Sequence, residues 1–256
     1  MTLLSRDPWF NLARSTNARI ALGRSGGSLR TSSQLELRLA HARARDAVQA
    51  SFDAATVVEQ LRESGVESEL VGTRANSRQE YLMNPELGRS LSDGSRCHLA
   101  KIRDVRGPCE LVIVVSDGLS PLAAQRQALP TLRALLPHLA QRAPSLAPVL
   151  VAPLARVKLG DEIGAALGAK VSLVLVGERP GLSSPDSLGA YITYGPCVAR
   201  TDADRNCISN IRAEGLPPEE AAARIACVIA ASRRQQLSGV NLELEGQTTP
   251  TVGQIP

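Results

Sequence analysis

The stretch Val171-Ser-Leu-Val-Leu-Val-Gly-Glu-Arg-Pro-Gly-Leu-Ser-Ser-Pro185 decides how the rest of the chain is read. Its first six residues, rich in Val and Leu, have the length and β-branched content of a strand covered on both faces. The run stops at Gly177. Glu178 and Arg179 then sit on a backbone whose Pro180 has a fixed φ and whose glycines, Gly177 and Gly181, can adopt positive φ. In open α/β sheets ligands bind in the crevice beyond the carboxyl ends of strands, which makes residues 177–181 the first candidate site. The same composition fits a solvated turn, and the residues alone leave both readings open.

Working outward, Leu111-Val-Ile-Val-Val115 is a second buried strand and it too ends in a polar turn, Ser116-Asp117-Gly118. Residues 149–152 read as a third strand, and residues 190–193 suit a further one. Between them, Ser120-Pro121 starts a helical stretch over residues 122–142, where Pro130 and Pro137 are expected to restart or kink it. A short helix over residues 161–167 ends on Gly168. Pro217-Pro218-Glu219-Glu220 opens the last long helix, with Ala222, Ile225, Val228 and Ile229 on its inner side. Apolar strands separated by helices predict an α/β fold with a Rossmann-like, mostly parallel sheet covered by helices. No Gly-x-Gly-x-x-Gly and no Gly-x-x-x-x-Gly-Lys-Ser/Thr is present, so the sheet lacks the fingerprints for a dinucleotide or a nucleoside triphosphate.

The chain before this region reads as a smaller helical part. Asp7-Pro8 suits a helix start, with Trp9, Leu12 and Ala13 on one side. Residues 16–30 look like a loop whose Arg19, Arg24 and Arg30 beside Gly23, Gly26 and Gly27 fit either an anion site or a solvated connector. Helices are expected from Thr31 or Ser32 to about Ala50, over residues 56–64 and from Pro85 to Leu91, with a strand over residues 67–71. These helices are joined by irregular links, and a boundary falls within residues 94–107. The expected organisation is a mainly helical region over 1–106, a Rossmann-like domain carrying the site over 107–242, and a tail over 243–256 that is disordered or lies on a neighbour.

Of the 256 residues, 43% are hydrophobic but only 2% aromatic, so the core is built from Leu, Val, Ile and Ala. No apolar stretch has membrane-spanning length and the first dozen residues contain no apolar core, so neither a membrane partner nor a secretory signal is expected. Net charge is +4 and the pI about 9.0, which raises a nucleic-acid reading. Distribution rejects it: 29 basic residues, all but three of them Arg, are interleaved with 25 acids, stacking aromatics are scarce, and no helix-turn-helix or zinc signature appears. Cys97, Cys109, Cys197, Cys207 and Cys227 contain no Cys-x-x-Cys pair and fit free thiols in a reducing cytoplasm. His41, His98 and His138 form no ligand-like cluster, so no metal site is expected. None lies beside a nucleophile either. Asp117 and Glu178, both at strand ends, leave one enzymatic reading from the residues alone: a stand-alone Rossmann-like hydrolase of a small polar substrate using this pair as acid and base.

A set of motifs in fixed order points elsewhere. Near the start stand Arg14-Ser-Thr, Ala18-Arg19 and Gly23-Arg24; then Ser116-Asp-Gly-Leu-Ser120; then Arg156-Val157-Lys158 with Asp161, Ile163 and Leu167-Gly-Ala-Lys170. Gly-Glu-Arg-Pro-Gly-Leu from Gly177, Ser187-Leu188, Tyr191, Tyr194 and Ala203-Asp-Arg-Asn-Cys-Ile-Ser-Asn-Ile211 follow. Together, over about residues 12–241, they resemble the small (light) subunit of ethanolamine ammonia-lyase. One departure is Ala155, where that family commonly carries glycine.

The resemblance implies a carbon–nitrogen lyase that converts ethanolamine to acetaldehyde and ammonia with adenosylcobalamin as its radical cofactor. It implies a hetero-oligomer in which a large barrel subunit binds substrate and carries the catalytic residues. This chain then contributes no catalytic residue and completes the corrin pocket. By the same resemblance Val157, Glu178 and Cys207 occupy cobalamin-contacting positions. Their types suit a corrin rim, which is apolar surface fringed by amides: Val157 offers apolar contact, Glu178 an acceptor, and Cys207 a small side chain, although on the residues alone a core thiol is the more ordinary use of Cys. An Asp-x-His-x-x-Gly motif is absent, so the cofactor is expected to keep its own base on cobalt. A cytoplasmic protein is expected, with association with an ethanolamine-utilisation microcompartment open to it through the family.

Overall fold

The computed structural model describes residues 9–16, 18–140 and 145–244. Its first elements are a 3-10 turn at Leu12–Ser15 and a small antiparallel hairpin, β1 (Arg24–Ser25) with β2 (Ser28–Leu29). The hairpin occupies part of the stretch read as loop. The helix start at Asp7-Pro8 lies outside the described residues, as do residues 245–256 of the tail.

Next come α1 (Thr31–Gln49) and α2 (Ala54–Glu63), the latter capped by the Asp53 carboxylate, which accepts from the Thr56 amide at 3.1 Å. Then β3 (Ser68–Leu70), α3 (Arg78–Met83), a 3-10 turn at Pro85–Arg89, and α4 (Asp93–Arg106). The helix α4 fills the stretch, residues 94–107, in which only a boundary was expected. Ser92 caps it by accepting from the Ser95 amide at 3.3 Å. Its buried face is thin, essentially Leu99 and Ile102, while Gly94, His98, Lys101 and Asp104 give the rest a polar, loop-like composition.

The remaining elements are β4 (Leu111–Ser116), α5 (Pro121–Ala140), β5 (Val149–Val151), α6 (Leu159–Leu167), β6 (Val171–Gly177), β7 (Leu188–Tyr194), β8 (Arg205–Ile211) and α7 (Pro218–Gln235). Pro130 and Pro137 both lie inside α5, which runs through them instead of restarting. Leu132, Leu135 and Leu139, buried on the side packed against α7 and β6, hold the helix across the missing donors.

One six-stranded sheet organises the molecule, in the order β3-β5-β4-β6-β7-β8. The first four strands run parallel; β7 is antiparallel to β6, and β8 to β7. This is an α/β fold with a mixed, mostly parallel sheet covered by helices. Because β3 precedes residue 107 and is hydrogen-bonded to β5, the sheet draws on both sides of that position.

The all-apolar strands are explained by burial on two faces. In β4, Leu111, Ile113 and Val115 join one core with Leu132, Leu135 and Ile225 of α5 and α7. Val112 and Val114 join the other, with Leu99 and Ile102 of α4 and Leu159 and Ile163 of α6. Each such side chain contributes about 1.5–3 kcal/mol relative to exposure. Among the described residues no helix is long and apolar enough to cross a membrane.

Candidate functional site

The neighbouring strands β4 and β6 are parallel and end together, and their exit loops dock backbone to backbone. The Leu119 amide donates to the Gly177 carbonyl at 2.9 Å. A Cβ on Gly177 would stand 2.1 Å from the Ser120 carbonyl oxygen and 2.4 Å from that of Asp117. On Gly118, at φ +50°, it would stand 2.3 Å from the Gly177 oxygen. Each exit loop therefore carries a glycine where the two meet, and the docked loops form the floor of a crevice at the carboxyl ends of β4 and β6.

Two adjoining clefts start there and extend along β7 and β8. One of about 730 Å³ is lined by residues that include Glu178, Arg179, Ser187, Asn210 and Arg212. The other, about 550 Å³, is lined by residues that include Arg89, Lys158, Arg200, Arg205 and Cys207. Arg156, Val157 and Tyr191 line both. Of the three residues singled out in the sequence, Glu178 stands in the first cleft, Cys207 in the second and Val157 on the wall they share.

Glu178 ties three segments together. Its carboxylate accepts from the hydroxyls of Ser187 and Ser209, the latter at 2.6 Å, and from the Asn210 amide at 3.1 Å. Its own amide donates to the Ser187 carbonyl at 2.9 Å. Asn210 has φ +59°, a left-handed conformation that Asn tolerates better than most residues. Cys207 sits on β8 directly opposite Tyr191 of β7. It is exposed, so the alternative of a core thiol does not hold. Desolvation by the surrounding protein pushes the thiol pKa up, against a hydrogen bond from Tyr191 that lowers it. It is a neutral thiol, weak as a nucleophile and suited to close packing. Burial, and then the neighbouring Cys207 and Glu178, push the Tyr191 hydroxyl up as well.

Val157 is delivered by a pinned turn. Asp117, 1% exposed, accepts from the Leu154 amide through Oδ1 at 2.6 Å and pairs through Oδ2 with Nη1 of Arg78 at 2.9 Å. Burial pushes its carboxyl up while Arg78 pulls the other way. Leu154 is the residue in the left-handed region, at φ +59°, and Ala155 is not, so alanine fits where the family commonly has glycine. Ser116 completes the pin, its hydroxyl accepting from the Ala155 amide at 3.2 Å. Asp117 is thus committed through both oxygens to structure, and the hydrolase reading loses the acid it required.

Comparison with known proteins agrees with the motif set. The ethanolamine ammonia-lyase light chain family matches residues 6–243. The ethanolamine ammonia-lyase small subunit of Pseudomonas fluorescens is 51% identical over 243 residues, which cover 94% of this chain and 89% of that protein. Its counterpart in Pseudomonas putida is 49% identical over 242 residues, 94% of this chain and 89% of that one. A Pseudomonas aeruginosa small subunit is 47% identical over 253 residues, covering 98% and 93%. The chain belongs to the ethanolamine ammonia-lyase small subunit family.

In this ammonia-lyase subunit the crevice also uses residues that sequence reasoning did not single out. Tyr81, fully buried, comes from α3 and donates to the Ala155 carbonyl at 3.3 Å. The guanidinium carbon of Arg156 lies 4.2 Å from its ring centroid and that of Arg78 5.1 Å. Burial pushes its hydroxyl up to about 12. Nothing periodic marks Tyr81, because its role depends on contacts 74 residues away in the chain. A second unforeseen pair is Arg205, whose Nη1 donates to both oxygens of buried Asp161 at 2.9 Å and so fastens the start of β8 to α6. Both residues fall in the quoted motifs, but their pairing has no sequence signal.

Proposed function

We propose that this chain is the non-catalytic small subunit of adenosylcobalamin-dependent ethanolamine ammonia-lyase, which converts ethanolamine to acetaldehyde and ammonia. It completes the cofactor pocket against a large barrel subunit that binds substrate and carries the catalytic residues. The observation that carries this reading is that Val157, Glu178 and Cys207 line two adjoining clefts that lead from the carboxyl ends of β4 and β6 along β7 and β8.

The residues fit the group. Cobalamin, when bound, supplies radical chemistry through its cobalt–carbon bond. Val157 offers apolar contact to the ring. A carboxylate has roughly four lone-pair sites, and Glu178 already accepts three hydrogen bonds from the chain. It retains acceptor capacity for an amide N–H of the corrin fringe while the other bonds hold its orientation. Cys207 is small, neutral and open to the second cleft, so ring surface can approach closely. Among the described residues no histidine lines either cleft. The task left to this chain is to bind, orient and exclude water.

Residues 107–242 carry these contacts. In this reading the protein works in the cytoplasm, with association with an ethanolamine-utilisation microcompartment open to it through the family. The test is coexpression with the large subunit and an aldehyde assay with and without adenosylcobalamin. Turnover is expected only with both subunits and cofactor; turnover by this chain alone would overturn the proposal.

A further inference from the structure

We infer that Arg156 is an anion anchor and that it takes the phosphodiester of the cofactor's nucleotide tail. The inference rests on the cobalamin reading above and deepens it.

Among the described residues, Arg156 and Arg179 line the crevice without a counter-ion, and of the two only Arg156 has a buried nitrogen without a partner. Among the described residues no carboxylate stands within salt-bridge distance of it, whereas Arg78, Lys158, Arg200 and Arg205 pair with Asp117, Asp161, Asp204 and Asp161 respectively. Its Nε is buried without a hydrogen-bond partner. One amino group reaches the Tyr81 carbonyl at 3.3 Å, and the planar head is stacked on the Tyr81 ring. A guanidinium stays charged at all working pH values, and a sequestered charge without a partner is costly. That deficit is met by an anion entering from the cleft side. The other cations of the second cleft are balanced, Arg89 by Glu86, Lys158 and Arg205 by Asp161, Arg200 by Asp204 and Arg205 also by Asp202, so Arg156 stands apart on this wall.

The chemistry of the ligand narrows the class. A fixed guanidinium fork matches two oxygens of a phosphate, and its stacking on Tyr81 pre-orients the fork. The corrin fringe is neutral amide, so the phosphodiester is the anionic group of the bound cofactor. Arg156 directly precedes Val157, which faces both clefts, so an anchor for the tail and a contact for the ring lie on one pinned turn.

The test compares adenosylcobalamin, adenosylcobinamide phosphate and adenosylcobinamide, the last lacking the phosphate, by equilibrium binding to the assembled two-subunit protein. The unmodified protein is expected to bind the two phosphate-bearing compounds about ten- to a hundredfold more tightly than adenosylcobinamide, the range of one or two charge-assisted hydrogen bonds. Arg156→Gln should erase most of that preference without weakening adenosylcobinamide, and Arg156→Lys should keep part of it. An unmodified protein that binds adenosylcobinamide and its phosphate equally would overturn the inference, whatever the variants do. So would an Arg156→Gln variant that weakens all three alike, which would make Arg156 a structural or subunit-contact residue. Binding of none of the three would overturn the cobalamin reading itself, and this inference with it.

Discussion

Glu178 shows how one side chain can join the fold and the site. Its three accepted hydrogen bonds come from the start of β7 and from β8, so the carboxylate is oriented before any ligand arrives. Glu178→Ala leaves two hydroxyls at an open cleft, where water replaces the lost acceptor, and the fold should survive. Cys207→Arg places a bulky cation on the face opposite Tyr191. Both variants should bind adenosylcobalamin more weakly in the assembled enzyme with unchanged circular dichroism; unaltered affinity in both would return these residues to a purely structural role. Raising the cofactor concentration should restore most of the lost rate by mass action. A saturated, assembled variant that still loses on the order of a hundredfold in turnover would put acid–base chemistry in this chain. Tyr81 carries a different prediction. Its hydroxyl is raised by burial from 10.0 to about 12, so the folded state keeps a proton that the unfolded state releases. The stability tied to that proton is complete below pH 10 and declines as pH climbs toward about 12. Tyr81→Phe should cost about 1 kcal/mol at neutral pH through the lost bond to Ala155 and should flatten the alkaline decline. Melting curves from neutral to alkaline pH check both.

At the scale of elements, the crevice depends on how closely the ends of β4 and β6 approach. Gly177→Ala sets a Cβ 2.1 Å from a backbone oxygen that cannot swing away. It should destabilise by about 1–3 kcal/mol or more and separate the two loops. Gly181→Ala meets the tip of the Ser184 side chain at 2.8 Å, which can rotate, and should be nearly neutral. Denaturant unfolding of the two variants makes the comparison, and equal losses would deny the docked-loop account. The buried strands and α7 were legible because their apolar runs are long or periodic. The helix α4 was not, since two buried residues leave little period to read, and the uninterrupted course of α5 was not, since packing outweighs two prolines. The strand β8 escaped because it is an edge with buried residues only at its ends.

Over the whole molecule, Arg78 joins the chain before residue 107 to the sheet. It donates to Asp117 at 2.9 Å, to the Gly118 carbonyl at 2.6 Å and, from Nε, to the Val48 carbonyl at 3.1 Å. Asp117→Asn leaves that guanidinium buried without its counter-charge and should cost about 3–5 kcal/mol, read by urea unfolding at neutral pH. Pairing it with Arg78→Met should recover part of the loss, since the uncompensated charge is then gone; additive losses would mean the two residues act independently. The sequence by itself determined the α/β class, the strand ends where the crevice lies and, through an ordered set of motifs, the family. These are local or cumulative signals: a strand must carry apolar side chains on both faces if both are covered, and a loop at its end shows in glycine and proline. Tertiary structure alone decided that Asp117 is a structural group committed to Arg78 and Leu154, that Tyr81 underlies the crevice, and that Arg156 is left without a counter-ion. Each of these depends on which charges meet in space across intervals of about 40 to 75 residues, and burial, which sets what an unpaired charge costs, exists only once the chain has folded.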